Sequence, residues 1–250
     1  ADVKPDTVFH LAGQANVARS WKIPQKTMEL NIIAGINLMD AVRDIIPDCR
    51  MVMVGSSDQY GNLGERGKCV VETMQPHPQT PYAISKQTQE DMSALYARTY
   101  RMNICMTRSF NHVGAGQAKG FLFSDFASGI AAVEKGQAAC LRVGNLTARR
   151  DFTHVSDVVR AYRMIAERGR AGEVYNVGSG ITYSAQEILD RFCALANCPI
   201  PIEQDPSKMR PSDTPVICCD HSKLTNDTGW KPEYSIDGMI SDVLQDWRNR

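Results

Sequence analysis

A chain of 250 residues in which 28 Lys and Arg balance 28 Asp and Glu carries no formal net charge, so it offers no electrostatic footprint for nucleic acid or an anionic membrane. Its 43% hydrophobic residues give ample core for one or two globular domains, no run approaches the roughly 18 apolar residues of a spanning helix, and no secretory leader is visible at the start. The eight cysteines are scattered without a C-x-x-C pair, which indicates neither a zinc ribbon nor a disulfide framework and makes a reducing cytoplasm, with no bound metal, the expected setting.

In chain order, Thr7 to Ala12 is a short apolar strand closed by Gly13. Residues 24–46 read as a helix opened by Pro24, and 49–55 as a buried strand ending in the hydroxyl pair Ser56-Ser57. A Gly- and Pro-containing loop over 61–81 leads to a long helix over 82–100, then a strand over 103–108. Further on, 120–135 reads as a helix, 139–143 as a strand, 155–168 as a helix and 173–177 as a strand stopped by Gly178-Ser179-Gly180. Amphipathic helices over 184–197 and 235–249 complete the chain. Alternating strands and helices predict a parallel sheet covered on both faces. The more broken tail from 178 predicts a small lobe over the carboxyl edge of that sheet. Trp21, Trp230 and Trp247 read as packing residues, His154 as a helix-entry residue and Asp157 as a charge at a helix N-terminus.

The chemistry is carried by Tyr82 and Lys86 in Thr80-Pro81-Tyr82-Ala83-Ile84-Ser85-Lys86. Four residues apart on a helix, the two lie one turn apart on one face. A lysine ammonium there favours the phenolate and lowers the tyrosine from its usual value of about 10. Such a tyrosine exchanges a proton with a carbinol or carbonyl oxygen, and a serine at the nearby strand end holds the same oxygen. That trio is what reversible hydride chemistry on a sugar carbon requires. No G-x-G-x-x-G follows any strand, and Gly13-Gln14-Ala15-Asn16 carries too few glycines to cradle a pyrophosphate.

Four runs bring out a family likeness. They are Phe9-His10-Leu11-Ala12-Gly13-Gln14, Arg108-Ser109-Phe110-Asn111-His112-Val113-Gly114-Ala115-Gly116-Gln117, Val143-Gly144-Asn145-Leu146-Thr147-Ala148-Arg149-Arg150-Asp151-Phe152-Thr153 and Met209-Arg210-Pro211-Ser212-Asp213. With them the whole chain resembles the extended short-chain dehydrogenase/reductase family of nucleotide-sugar enzymes, in its GDP-hexose branch. In that family a glycine-rich turn and further strands precede the first run, so the chain looks like a member without its amino-terminal βαβ portion. The resemblance implies a Rossmann-like doubly wound α/β fold. Residues 1–177 would form the cofactor domain, with some substrate-binding segments, and 178–250 mainly the nucleotide-sugar lobe.

The resemblance also assigns roles. Ser57, Tyr82 and Lys86 would be the catalytic trio, with Ser56 as the alternative hydroxyl. Leu11, Ala12, Gly13, Ser56, Tyr82, Lys86 and His112 would hold NADP(H) or NAD(H). Asn111 would contact the substrate, Val143, Asn145 and Arg150 would hold the guanosine end, and Arg210 and Asp213 would close over the diphosphate and ribose. The implied reaction is NAD(P)H-dependent reduction of the 4-keto group of a GDP-6-deoxy-hexose, taking GDP-4-keto-6-deoxy-D-mannose to GDP-D-rhamnose in a homodimer. A GDP-mannose 4,6-dehydratase, a 4-epimerase and a catalytically silent binding relative are the alternatives. Related dehydratases place a glutamate base two residues after the catalytic hydroxyl. Counted from Ser57 that position is Gln59, an amide without basic character, and in a strand-like stretch the Asp58 side chain points the other way. This favours reduction over dehydration.

Overall fold

The computed structural model describes residues 3–63, 68–208 and 216–250. Strand β1 (Thr7–His10) is followed by α1 (Val17–Lys22), capped by the Asn16 side chain. The predicted helix over 24–46 forms as α2 (Pro24–Met28), a π-helical turn at Glu29–Ile33 and α3 (Ala34–Ile45). Next come β2 (Arg50–Val54), a 3₁₀ turn at Ser57–Tyr60, α4 (Pro81–Tyr100) and β3 (Ile104–Ser109). A long excursion follows through β4 (Asn111–Val113), α5 (Leu122–Glu134), β5 (Leu141–Val143), β6 (Arg149–His154) and α6 (Val155–Arg168). The chain returns as β7 (Val174–Val177), then β8 (Thr182–Ser184), α7 (Ala185–Ala194), β9 (Ile202–Gln204), β10 (Val216–Ile217), α8 (Ser222–Thr228) and α9 (Ile236–Asn249).

Strands β1, β2, β3 and β7 form a parallel sheet in that order. Side chains alternate across a strand, and the sequence exploits this. Met51 and Met53 of β2 and Ile104 and Met106 of β3 pack with Met39, Val42 and Tyr96 of α3 and α4. Val52, Cys105, Tyr175 and Val177 face the opposite layer, with Val158, Ala161 and Ile165 of α6 and with Leu224 and Trp230. Both faces of the parallel sheet are therefore covered, as expected of a doubly wound fold.

The boundary expected at 177/178 does not divide the packing. The lobe core joins Phe123, Phe126 and Ile130 of α5 and Leu141 and Val143 of β5 to Ile188, Leu189 and Phe192 of α7 and to Ile240, Val243 and Leu244 of α9. Conversely, α8 and Trp230 belong to the cofactor sheet. The lobe is thus assembled from two separate stretches, because α5 presents an aromatic face that no strand of the main sheet covers. Phe123 and Phe192 meet edge to face at 5.6 Å, a geometry favoured by the ring quadrupole.

Two smaller expectations are also corrected. Trp21 is 63% exposed rather than packed. Cys69 and Cys218, separated by 149 residues, form a disulfide. That bond fixes the segment beside Val70 to the end of β10, where Val70 bridges Cys219.

Candidate active site

Thr80 caps α4, its hydroxyl accepting from the Ala83 N–H at 3.0 Å, and Pro81 occupies the first turn. The buried face of this helix is Tyr82, Ser85, Lys86, Gln89, Glu90, Ser93 and Tyr96, a helical stripe that is mostly polar. A buried polar stripe persists only if it is hydrogen-bonded. Ser93 donates to the Gln89 carbonyl at 2.7 Å, and Lys86 donates from Nζ to the Val54 carbonyl at 2.8 Å and to Gln89 Oε1 at 3.1 Å. Asn31, fully buried in the π turn, donates to Ser85 Oγ at 2.8 Å and accepts from the Gln14 N–H at 2.7 Å. A π turn at a functional site is a recurring device. Here it pins the loop after β1 against the helix turn that carries Lys86.

The structure changes the expected electrostatics of the pair. Burial pushes the Tyr82 phenol well above its ordinary value; the Ser56 hydroxyl opposes the shift, and the Asp58 charge adds to it. Burial lowers Lys86 to about 8. Lys86 is engaged with Val54 and Gln89 rather than with Tyr82, so desolvation, and not the lysine charge, dominates the tyrosine.

The segment after β2 is likewise not a strand. Ser56 caps the 3₁₀ turn at Ser57–Tyr60, its hydroxyl accepting from the Asp58 N–H at 3.2 Å. The hydroxyl that acts on the Tyr82 phenol is that of Ser56, while Ser57 also borders the cavity. Because strand alternation ends at Val54, Asp58 lines the cavity and Gln59 is turned fully into the protein. The expectation that Gln59 occupies the place of a base, with Asp58 pointing away, is therefore corrected. Counted from Ser56, the residue two positions on is Asp58.

The cavity is about 490 Å³ and runs between the carboxyl end of the parallel sheet and the lobe. Ser56, Ser57, Asp58, Tyr82, Asn111 and His112 border it from the sheet side, and Val143, Asn145 and Arg150 from the lobe side. His112 Nδ1 lies 3.2 Å from the Phe110 carbonyl. Asn145 Oδ1 accepts from the Thr147 N–H at 2.9 Å. The neighbour of Arg150, Asp151, is no surface charge. It is fully buried and accepts from the N–H groups of Ser179, Gly180 and Cys219 at 2.8, 2.8 and 3.1 Å. Leu11, Ala12 and Gly13 are exposed and lie outside the cavity wall. A Cβ on Gly13 would nevertheless meet Asn31 Oδ1 at 2.7 Å and Lys86 Nζ at 3.9 Å, so this backbone runs against the lysine. Arg210 and Asp213 lie outside the described residues. Sequence reasoning missed Arg142, Lys208 and Phe121 on the wall, and Asn31 behind it. Isolated residues in loops and short strands carry no motif.

A buried Tyr–Lys helix at the carboxyl end of a parallel sheet, facing a cleft under a second lobe, defines a class. The chain belongs to the GDP-mannose 4,6 dehydratase family, whose family model matches residues 1–243. It is an extended short-chain dehydrogenase/reductase, an NAD(P)-dependent nucleotide-sugar oxidoreductase. Within that family it is 35% identical to the GDP-6-deoxy-D-mannose reductase of Pseudomonas aeruginosa, over 98% of this chain and 81% of that one. It is 25% identical to a GDP-mannose 4,6-dehydratase of Vibrio cholerae, over 98% and 73% of the two chains. The solved structure of RMD from Pseudomonas aeruginosa complexed with NADPH superposes with a TM-score of 0.94 at 33% identity, covering 99% of this chain and 83% of that one.

Proposed function

We propose that the protein reduces the 4-keto group of a GDP-6-deoxy-hexose, converting GDP-4-keto-6-deoxy-D-mannose to GDP-D-rhamnose at the expense of NADPH or NADH. The observation that carries this is the difference in likeness: 35% identity to a reductase against 25% to a dehydratase, over the same 98% of the chain. The site is consistent with it. A phenol raised by burial stays protonated through neutral pH, which is the form that gives a proton to a developing alkoxide. Ser56 donates to the same oxygen and orients the carbonyl.

The residues around Lys86 fit a nicotinamide ribose. The ammonium has three N–H donors, and its two bonds to Val54 and Gln89 leave one for a hydroxyl of the cofactor. Buried close by, His10 Nε2 and Gln89 Nε2 have no hydrogen-bond partner among the described residues. When bound, the reduced nicotinamide supplies hydride to C4. Arg150, with Arg142 and Lys208, gives the lobe wall a cationic stretch suited to a diphosphate. Val143 and Asn145 border the remaining space, which the proposal gives to guanosine.

Asp58 favours a second reading. A carboxylate on the cavity wall two residues after Ser56 is positioned for removal of a carbon-bound proton, the step that dehydration adds to hydride transfer. One experiment separates the two. The purified protein is given NADPH with the 4-keto sugar, and separately GDP-mannose with catalytic NADP⁺, and the sugars are followed by NMR. Reductant consumption confined to the keto sugar supports reduction. A 4-keto-6-deoxy product from GDP-mannose overturns it.

We also propose a homodimer through the helices 24–45 and 81–100. Met39 and Tyr96 on these helices are core. Leu30, Ile33, Ile84, Leu95 and Tyr100 are 37–51% exposed on the same helices and supply the apolar surface. A one-chain mass by light scattering at micromolar concentration would refute it. The cytoplasm is the proposed setting because the reaction consumes a nicotinamide reductant; recovery outside the soluble fraction of broken cells would count against it.

A further inference from the structure

Behind the cavity wall lies a chain of buried polar groups that the chemistry above does not use. Gln59 is completely buried. Its Oε1 accepts from the Ser56 N–H at 2.8 Å, and its Nε2 donates to Glu90 Oε2 at 2.8 Å and to Gln87 Oε1 at 2.9 Å. Glu90 is gripped by Arg108, from Nε to Oε2 at 3.0 Å and from Nη2 to Oε1 at 2.6 Å. Arg108 is fixed in turn by the Glu72 carbonyl at 3.2 Å and by the face of the Tyr60 ring at 4.8 Å.

The direction of the amide follows from this arrangement. A carboxylate paired with a guanidinium accepts hydrogen bonds and donates none. The NH₂ of Gln59 must therefore face Glu90, and its oxygen must face the Ser56 N–H. At the other end, the Ser56 hydroxyl accepts from the Asp58 N–H, closing a reciprocal cap. The Ser56 N–H is thus set from behind the cavity wall by Gln59, and its hydroxyl by the backbone of the turn that Gln59 closes, on the same wall as Tyr82. Room for the amide is made by Gly55, where a Cβ would lie 2.5 Å from Gln59 Oε1 and 2.3 Å from the Thr107 carbonyl oxygen.

We infer that Gln59 is a positioning residue for the Ser56 hydroxyl, and that the Glu90–Arg108 pair sets its orientation. The inference rests on the proposed role of Ser56 and Tyr82 in the reaction. Gln59 does not touch the substrate; it holds the cap from which Ser56 does.

The test is Gln59→Glu, which keeps the shape and removes the donor. At neutral pH and above, the introduced carboxyl group and that of Glu90, at hydrogen-bond distance, cannot both ionise without repulsion. When the pair holds one proton, the introduced carboxyl regains a donor toward Glu90 and still accepts from the Ser56 N–H. The kcat of Gln59→Glu for the keto sugar should then fall by about tenfold or more at the alkaline end of a profile from about pH 5.5 to 8.5, and recover on acidification. The double variant Gln59→Glu with Glu90→Gln exchanges donor and acceptor at constant charge and should remove that ionisation. The second readout is the Ser56 amide proton shift by NMR, which should titrate with the same midpoint in Gln59→Glu and stay flat in the double variant. A Gln59→Glu profile parallel to the wild type, or a Ser56 amide indifferent to pH, would overturn the inference. If the wild type does not turn over the keto sugar, the proposed reaction fails, and the amide titration still decides the role of Gln59.

Discussion

Replacing each of the two adjacent serines separately distinguishes the sequence expectation from the geometry. Ser56 Oγ accepts from the Asp58 N–H and is the hydroxyl that opposes the burial shift of the Tyr82 phenol, whereas Ser57 borders the cavity one residue further on. Ser56→Ala removes a donor that holds the reacting oxygen as charge develops on it. Loss of one such donor costs roughly 2.7–4 kcal/mol of transition-state stabilisation, or about 10²–10³ in kcat. It also removes the cap of a short turn, worth about 1 kcal/mol of stability. Ser57→Ala loses neither, and its kcat should stay within about fivefold of the wild type. The assay is the initial rate of NADPH oxidation at saturating keto sugar, with a denaturant melt on each variant to separate the cap from the chemistry. A Ser57→Ala enzyme more impaired than Ser56→Ala would show that the turn rearranges during reaction and that the hydroxyl assignment is wrong.

Tyr82→Phe should keep substrate binding and lose about 10²–10⁴-fold in kcat, measured by single-turnover oxidation of NADPH. Lys86 is charged in the folded protein only below about 8, against 10.5 when solvated. From about 8 to 10.5 the unfolded chain therefore holds a proton that the folded one lacks, and stability gains with rising pH. Lys86→Met should accordingly abolish cofactor use yet raise the thermal midpoint below pH 8, with the gain shrinking toward 10.5; a midpoint difference independent of pH would refute this. Arg108→Met leaves the Glu90 carboxylate buried without its cation and should cost about 3–5 kcal/mol in a urea melt.

The elements most legible in the sequence were those whose burial follows a period. The helix over 155–168 forms over that span as α6, and the alternation of β2 and β3 sorts their residues between two layers. Of the lobe strands only β5 is legible, within 139–143. Strand β6 has the sequence Arg-Arg-Asp-Phe-Thr-His and pairs with β4, β8 and β10; such a strand is made by its neighbours and not by its own propensity. The turn at Ser57–Tyr60 was misread because an apolar run before it suggested that the strand continued, while the reciprocal cap of Ser56 and Gln59 stopped it. The Tyr82–Lys86 pair is legible from its spacing together with the helix opened at Pro81 and the hydroxyls that end the preceding strand, but its titration is not, since burial governs both groups. Cys69 and Cys218 lie 149 residues apart, and no local spacing signals that approach.

The divided composition of the lobe core bears on the order in which the chain folds. Residues 7–177 supply every strand of the parallel sheet. One of its faces nevertheless waits for Leu224 and Trp230, and α5 waits for Ile240, Val243 and Leu244 of the last helix. Contacts of such long sequence separation form slowly. During synthesis β5 and α7 can cover part of the α5 face, but the side that meets α9 waits while about a hundred further residues are added, by the numbering of α5 and α9. A ribosome-bound chain stopped just before Ile236 should still show chaperone engagement and protease sensitivity in the α5 region, and both should fall once α9 has emerged.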